Sequence, residues 1–338
     1  MSDEKTGRFS SLGEFLFFVD RHQRQKLLDP RIKTLTEGID SGGGVLVPEV
    51  WADEILYAVL DQSIVRKRAR VFRMTSDTLN IPRLDDVDRS AGYFGGITVT
   101  RLTEAADKSS LAADAKLASL RLVAHKSVAL TSVSNELMAD APTFAEFIRT
   151  AYGEGVAFAE DNDYINGNGV GRPLGVLPSA ATIKVTRAGA GAVNAIDLGN
   201  MADRLLPSSW DTAVWLVNQS VWAQLLTLNA AAANVTSVVD FATRTILGRP
   251  IITTEHCPAL GTEGDVILGD FDHGYVIGDR DMTIDSSSLA QTYFTDDRTV
   301  WRIVLRGDGS PVLGAAITPK AGGSTVSHFV ALSDAVIS

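Results

Sequence analysis

The chain has 338 residues, 45% hydrophobic and 21% charged, enough to bury a sizeable core in two domains or one elaborated domain. Its formal net charge of −10 argues against a sequence-reading nucleic-acid binder with a basic face, but does not exclude a protein that surrounds nucleic acid without gripping it. The single cysteine, Cys257, rules out an intrachain disulfide, and no run of about 18 apolar residues offers a membrane span.

The N-terminal MSDEKTGRFSS lacks a basic start followed by an apolar core, so no secretory signal is expected. In the following SLGEFLFFVDRHQRQKLL, Ser11 and Glu14 have capping-box spacing. Leu12, Phe15, Leu16 and Val19 then recur at helical spacing, while Phe17 and Phe18 fall off that stripe. A short helix with aromatics on more than one side wants a partner surface. The polar, glycine-rich DPRIKTLTEGIDSGGG after it reads as a linker or arm. Residues 1–44 are therefore expected to dock elsewhere, with Phe15, Phe17 and Phe18 as contacts.

Pro48 suits the start of a helix whose apolar face is Val50, Ile55, Leu56, Val59 and Leu60. The run RKRAR at Arg66–Arg70 reads as a solvated face, with a phosphate patch as the alternative. DTLNIPRLDD and AGYFGGITVT read as strands, and TEAADKSSLAADAKLAS has little to bury. LRLVAHKSVALTSV alternates as one long strand. A strand pair closing a core-poor excursion over 71–125 is a hairpin arm. A lone chain gains little from ordering such an arm, whereas an oligomer gains contact area.

A short helix in SNELMADAP is expected to end at Pro142, and Thr143 with Glu146 opens a long helix over 143–165. Its stripe is read as Phe144, Phe147, Ile148, Ala151, Gly155, Ala159 and Asn162, with Gly153 and Gly155 signalling close packing or a bend. The segment Asn166, Gly167, Gly169, Gly171, Pro173 and Gly175 then ends that helix. It is GxGxG after a helix, not GxGxxG between a strand and a helix, and no Gly-Lys-Ser/Thr follows. The glycines supply left-handed conformations at a helix C-terminus and a tight reversal. An enzyme with a nucleotide site at Gly167–Gly175 is the alternative.

Residues 195–290 alternate helix and strand and have their own core. RTVWRIVLRGDGSPVLGAAITP is expected to be a strand pair with a turn at Gly307–Ser310, and TVSHFVAL adds a last strand. The five histidines are scattered, and neither HExxH, a Cys/His cluster nor GxSxG occurs, so no catalytic, cofactor or metal site is expected.

The helix end DNDYINGNGVGRPLGVL resembles the end of the spine helix in tailed-bacteriophage major capsid proteins of the Hong Kong 97 fold. Four further stretches are similar to that family in the same order: SGGGVLVPEVWADEI; HKSVALTSVSNELMADAP; LGRPIITTEHCP with VILGDF; and GYVIGDRDMTI with VWRIVLRGDGSPVLGAAIT. Together they span about residues 41 to 319.

The resemblance implies an α+β fold. Residues 1–44 would be an N-terminal arm, 45–70 the first part of a peripheral domain, and 71–125 an extended loop over an adjacent subunit. Residues 126–194 would continue the peripheral domain, 195–292 would form the axial domain, 293–320 the return strands and 321–338 a tail. It implies a major capsid protein of the virion, assembled in the host bacterial cytoplasm as hexamers and pentamers of an icosahedral shell. Its partners would be further copies, a portal protein, separate scaffold and decoration proteins, and packaged double-stranded DNA, with no membrane. An encapsulin-type compartment of the same fold is the alternative. Some members weld subunits through a lysine of the extended loop and an asparagine, which makes Lys108 and Lys116 the donor candidates. Asn234 is the last asparagine, so no covalent mesh is expected unless an aspartate such as Asp308 substitutes. With so few residues ahead of the fold, proteolytic removal of a leading segment is not expected either.

Overall fold

The computed structural model describes residues 9, 11–25, 45–47, 49–90, 95, 97, 101, 117–139, 141–231, 238–287 and 297–334. It opens with α1 (Leu12–Gln25), where the Glu14 amide donates to the Ser11 hydroxyl at 3.1 Å. Then come β1 (Val45–Leu46), α2 (Glu49–Gln62), β2 (Arg70–Arg73), β3 (Thr78–Leu84), β4 (Leu117–Val123) and β5 (His125–Ser134). Two helices follow, α3 (Asn135–Ala139) and the long α4 (Ala141–Asn166).

The next stretch holds β6 (Ile183–Thr186), α5 (Ala195–Asp203), β7 (Val214–Val217) and α6 (Trp222–Ala231). It continues with β8 (Val239–Asp240), β9 (Thr245–Ile246), β10 (Arg249–Thr253) and β11 (Val266–Gly269). The chain then returns through α7 (Phe271–Gly274), β12 (Tyr275–Asp279), β13 (Thr283–Ser287), β14 (Arg298–Pro311) and β15 (Phe329–Ser333).

Among the described residues, three sheets result. One runs β1-β13-β14-β12-β2, with β5 also paired to β14. The second has seven strands in the order β6-β15-β11-β7-β10-β9-β8, and β3 and β4 pair as an antiparallel hairpin. Short, wholly apolar strands such as VWLV are what a sheet covered on both faces requires. Trp215 and Val217 of β7 point into one core with α5 and α6, while Val214 and Leu216 point into another. That other core also holds Ile165 of α4, Tyr275 and Ile277 of β12, and Phe329 of β15, so it joins the two large sheets.

Several sequence expectations are corrected. Phe15 does not wait for another subunit. With Leu12, Leu16 and Val19 it is buried against Phe144, Ile148, Met282, Ile284 and Trp301 of its own chain. The α1 stripe is the complement that this face of the sheet and α4 needed. Phe18 packs on the edge of the same core, and Phe17 is 53% exposed.

The strand expected through LRLVAHKSVALTSV divides at Ala124, because β4 pairs with β3 and β5 pairs with β14. No turn interrupts Gly307–Ser310, since β14 runs straight through. Its glycines make room instead: a Cβ at Gly309 would lie 2.8 Å from the Tyr275 hydroxyl, and one at Gly307 would lie 2.9 Å from the Gly278 carbonyl. Pro142 lies inside the first turn of α4 rather than ending α3, where its missing N–H leaves no bond unmade. Sheet membership also cuts across the expected 195–292 unit. β6 and β15, outside that unit, complete the seven-stranded sheet, whereas β12 and β13 belong with β14. Lys108, Lys116 and most of Ala91–Thr100 lie outside the described residues.

Candidate functional site at the end of the long helix

The buried apolar side chains of α4 are Phe144, Ile148, Tyr152, Val156, Ala157, Tyr164 and Ile165, whereas Phe147 and Gly155 face outward. The burial therefore follows the i+4 row 144-148-152-156 and corrects the expected stripe. Glu160 falls on that row between Val156 and Tyr164, and a carboxylate in such a position must be paired.

Its partner is Arg66. Far from a solvated face, Arg66 is 6% exposed and donates to both Glu160 oxygens at 2.8–2.9 Å. It also donates to Asp279 at the end of β12, at 3.1 Å. Burial works against its charge, but Tyr164, Glu160 and Asp279 outweigh that and hold the guanidinium protonated well above its ordinary value. Burial also pushes Glu160 up to about 7, with Asp279 adding to the rise and Arg66 opposing it.

Next to Glu160, Asp161 accepts from the Ser63 hydroxyl at 2.8 Å and from the Ile64 and Val65 amides at 2.6 and 3.0 Å. Helix α4 is thus tied through consecutive carboxylates to the segment that leaves α2. Arg66 lies 94 residues from Glu160 and 213 from Asp279. Sequence reasoning missed this cluster, and its one local signal was an acid on an otherwise apolar row.

The glycine segment closes α4. Asn166 donates its side-chain amide to the Asn162 side-chain oxygen at 3.0 Å and to the His256 carbonyl at 2.8 Å. The Gly167 amide donates to Asp163, that of Gly169 to Pro173, and that of Gly175 back to Gly167. The Val170 amide donates to the Asn168 side chain and the Leu174 amide to Gly309 of β14. Gly169 and Gly171 have φ of 74° and 68°. A Cβ at Gly167 would lie 2.3 Å from the Pro173 carbonyl oxygen, and one at Gly175 would lie 2.6 Å from that of Ile165. The amides of Gly167, Gly169, Val170, Leu174 and Gly175 are bonded within the chain, which argues against the alternative of a nucleotide site at Gly167–Gly175.

Asp308, the sequence candidate for a covalent partner, is occupied too. Its carboxylate accepts from the Val123 amide at 2.7 Å and the Gly309 amide at 2.8 Å, and burial raises its pKa. Cys257 is 1% exposed, and burial pushes its thiol up to about 12. Among the described residues, no three His, Cys, Asp or Glu side chains are grouped to hold a metal ion. No helix among them is long and apolar enough to cross a membrane.

The model of the phage capsid family matches residues 43–320, a span that includes α2, the hairpin, α4, its glycine turn and most of both large sheets. The chain belongs to the phage capsid family. A similar protein, the major capsid protein of Klebsiella oxytoca phage phiKO2, is 24% identical over 290 residues. That match covers 81% of this chain, which spans 65% of the relative's length. Among solved structures, the capsid of a native GTA particle is similar with a TM-score of 0.59 at 16% identity, over 92% of this chain and 96% of that one. A chain from Mycobacterium phage Cain is similar with a TM-score of 0.56 at 16% identity, over 82% and 92%. These likenesses give the phage capsid family member its fold, α+β and Hong Kong 97-like.

Proposed function

We propose that the chain is a major capsid protein that self-assembles into hexamers and pentamers of an icosahedral shell enclosing double-stranded DNA. The family match across residues 43–320 carries the reading. Outward apolar side chains support it: Tyr57 is 70% exposed, Leu117 of β4 74% and Leu130 of β5 66%. A lone chain leaves these wet, and contacts with further copies cover them. The exposure of Phe17 on α1 supports a contact between the N-terminal segment and a neighbour. The −10 charge keeps the inner wall from pinning a packed genome. A portal protein, scaffold and decoration proteins, assembly in the bacterial cytoplasm and residence in the virion belong to the same proposal.

The test is electron microscopy of the purified full-length chain, followed by nuclease treatment of particles from infected cells. Closed shells holding nuclease-resistant DNA are expected. A compact monomer at high concentration would overturn assembly, and shells filled with a protein cargo would replace the genome reading with an encapsulin-type compartment.

A further inference from the structure

The Arg66 cluster sits at the root of the β3–β4 hairpin and is linked, directly or through Arg280, to residues that flank its two strands. Asp279, which accepts from Arg66, receives the Met74 amide on its carbonyl at 2.7 Å and is in register with Arg73 of β2. The next residue, Arg280, pairs with Asp77 in the turn between β2 and β3. The Asp77 carbonyl in turn accepts the Ala124 amide at 2.9 Å, where β4 passes into β5. On its other side the cluster is anchored to α4 through Glu160.

We propose that Arg66, Glu160 and Asp279 form a proton-sensitive clamp that sets how firmly the β3–β4 hairpin is held to α4. Two carboxylates share one guanidinium in a part-buried site, with Arg66 5% and each acid 18% exposed at the side chain. With both acids ionised, one negative charge is left over, and like charges in such a site resist joint ionisation.

The other charged groups near Glu160 are already engaged. On α4, Asp161 takes three hydrogen bonds from Ser63, Ile64 and Val65, and Asp163 lies 3.6 Å from Arg172. Tyr164 is held neutral by burial. Arg280, from beyond β12, and Arg306, from β14, turn to Asp77. Ser127 of β5 completes the wall of a cavity of about 30 Å3 beside the cluster, room for one water. Burial lifts Glu160 above the usual carboxylate range, and this makes it the acid of the cluster that takes up a proton.

The sign follows from linkage. Glu160 rises from 4.5 to about 7 on folding, so the folded chain holds a proton that the unfolded chain releases. The clamp is tight below the ordinary carboxylate range and loosens as pH rises through about 7.

Hydrogen–deuterium exchange of the full chain between pH 5.5 and 8.5, corrected for intrinsic rates, tests this. Peptides over 70–84 and 117–125 are expected to lose about tenfold in protection across the range, while β7 and β11 peptides hold constant. Glu160→Gln flattens the hairpin response. Asp279→Asn, which removes one anion and keeps the arginine pair, moves its inflection to lower pH. The clamp is wrong if Glu160→Gln keeps the wild-type slope. It is also wrong if Asp279→Asn leaves the inflection in place, or if the seven-stranded sheet loses protection in parallel.

Discussion

A Cβ added at Gly153 of α4 would lie 2.8 Å from the Cβ of Ala58 on α2, so the two helices cross there with no space for a side chain. Two residues along, a Cβ at Gly155 would meet nothing within 4 Å. Gly153→Leu is expected to destabilise the unassembled chain by about 1–3 kcal/mol, because overpacking outweighs the better helix propensity. Gly155→Ala is expected to stabilise it by about 0.5–1 kcal/mol. Urea unfolding followed by tryptophan fluorescence checks both, and equal shifts for the two variants would refute the close crossing.

Phe15 and Phe17 separate the helix's two faces. Phe15→Ala empties a fully buried position in the core shared with Trp301, and is expected to cost about 3–5 kcal/mol. Phe17→Ala, on the wet side, is expected to change folding stability by less than about 0.5 kcal/mol and to show its effect in assembly. Melting of the free chain, with sedimentation of shells, distinguishes the two.

The turn after α4 predicts a steep hierarchy among its glycines. Gly167→Ala and Gly175→Ala force a methyl onto backbone at 2.3 and 2.6 Å, and are expected to abolish soluble folded protein. Gly171→Ala meets open space at φ 68°, and is expected to cost only about 1–2 kcal/mol, the left-handed penalty of an L-residue. Soluble yield and melting temperature read this out. A uniform response across the three would sink the close-packed turn.

Cys257 is expected to resist alkylation in the native chain. With its thiol pushed up to about 12, the reactive thiolate at pH 8 falls about a thousandfold below that of a free cysteine. Maleimide labelling followed by mass spectrometry should be slow until denaturant is added. Rapid labelling without denaturant would show that the packing around Cys257 opens readily.

The local signals in the sequence were read well wherever a segment answers to itself. The Ser11 cap, the run VWLV and the Asn/Gly/Pro-rich end of α4 each specify an element through spacing or turn chemistry within a few residues. The family resemblance over residues 41–319 was legible for a related reason, as five short stretches keep their order along the chain.

The errors share one physical cause. Gly307-Asp308-Gly309 has the composition of a turn, yet it runs straight because Tyr275, Tyr164 and the Gly278 carbonyl need the space a side chain would take. Ala124 divides an unbroken alternation because the strands on its two sides have different partners. Arg66 reads as one basic residue in a run, and becomes buried only because Glu160 and Asp279 arrive from 94 and 213 residues away.

By itself, then, the sequence marked the long helix and its end, strands such as VWLV, and the likeness to a capsid-family fold. Only the tertiary structure decided that the α1 stripe belongs to its own chain's core, that β6 and β15 complete the seven-stranded sheet, and that one arginine joins α4 to the root of the hairpin. Periodicity and turn chemistry act between neighbours in the chain, whereas burial and charge pairing depend on residues that only the fold brings together.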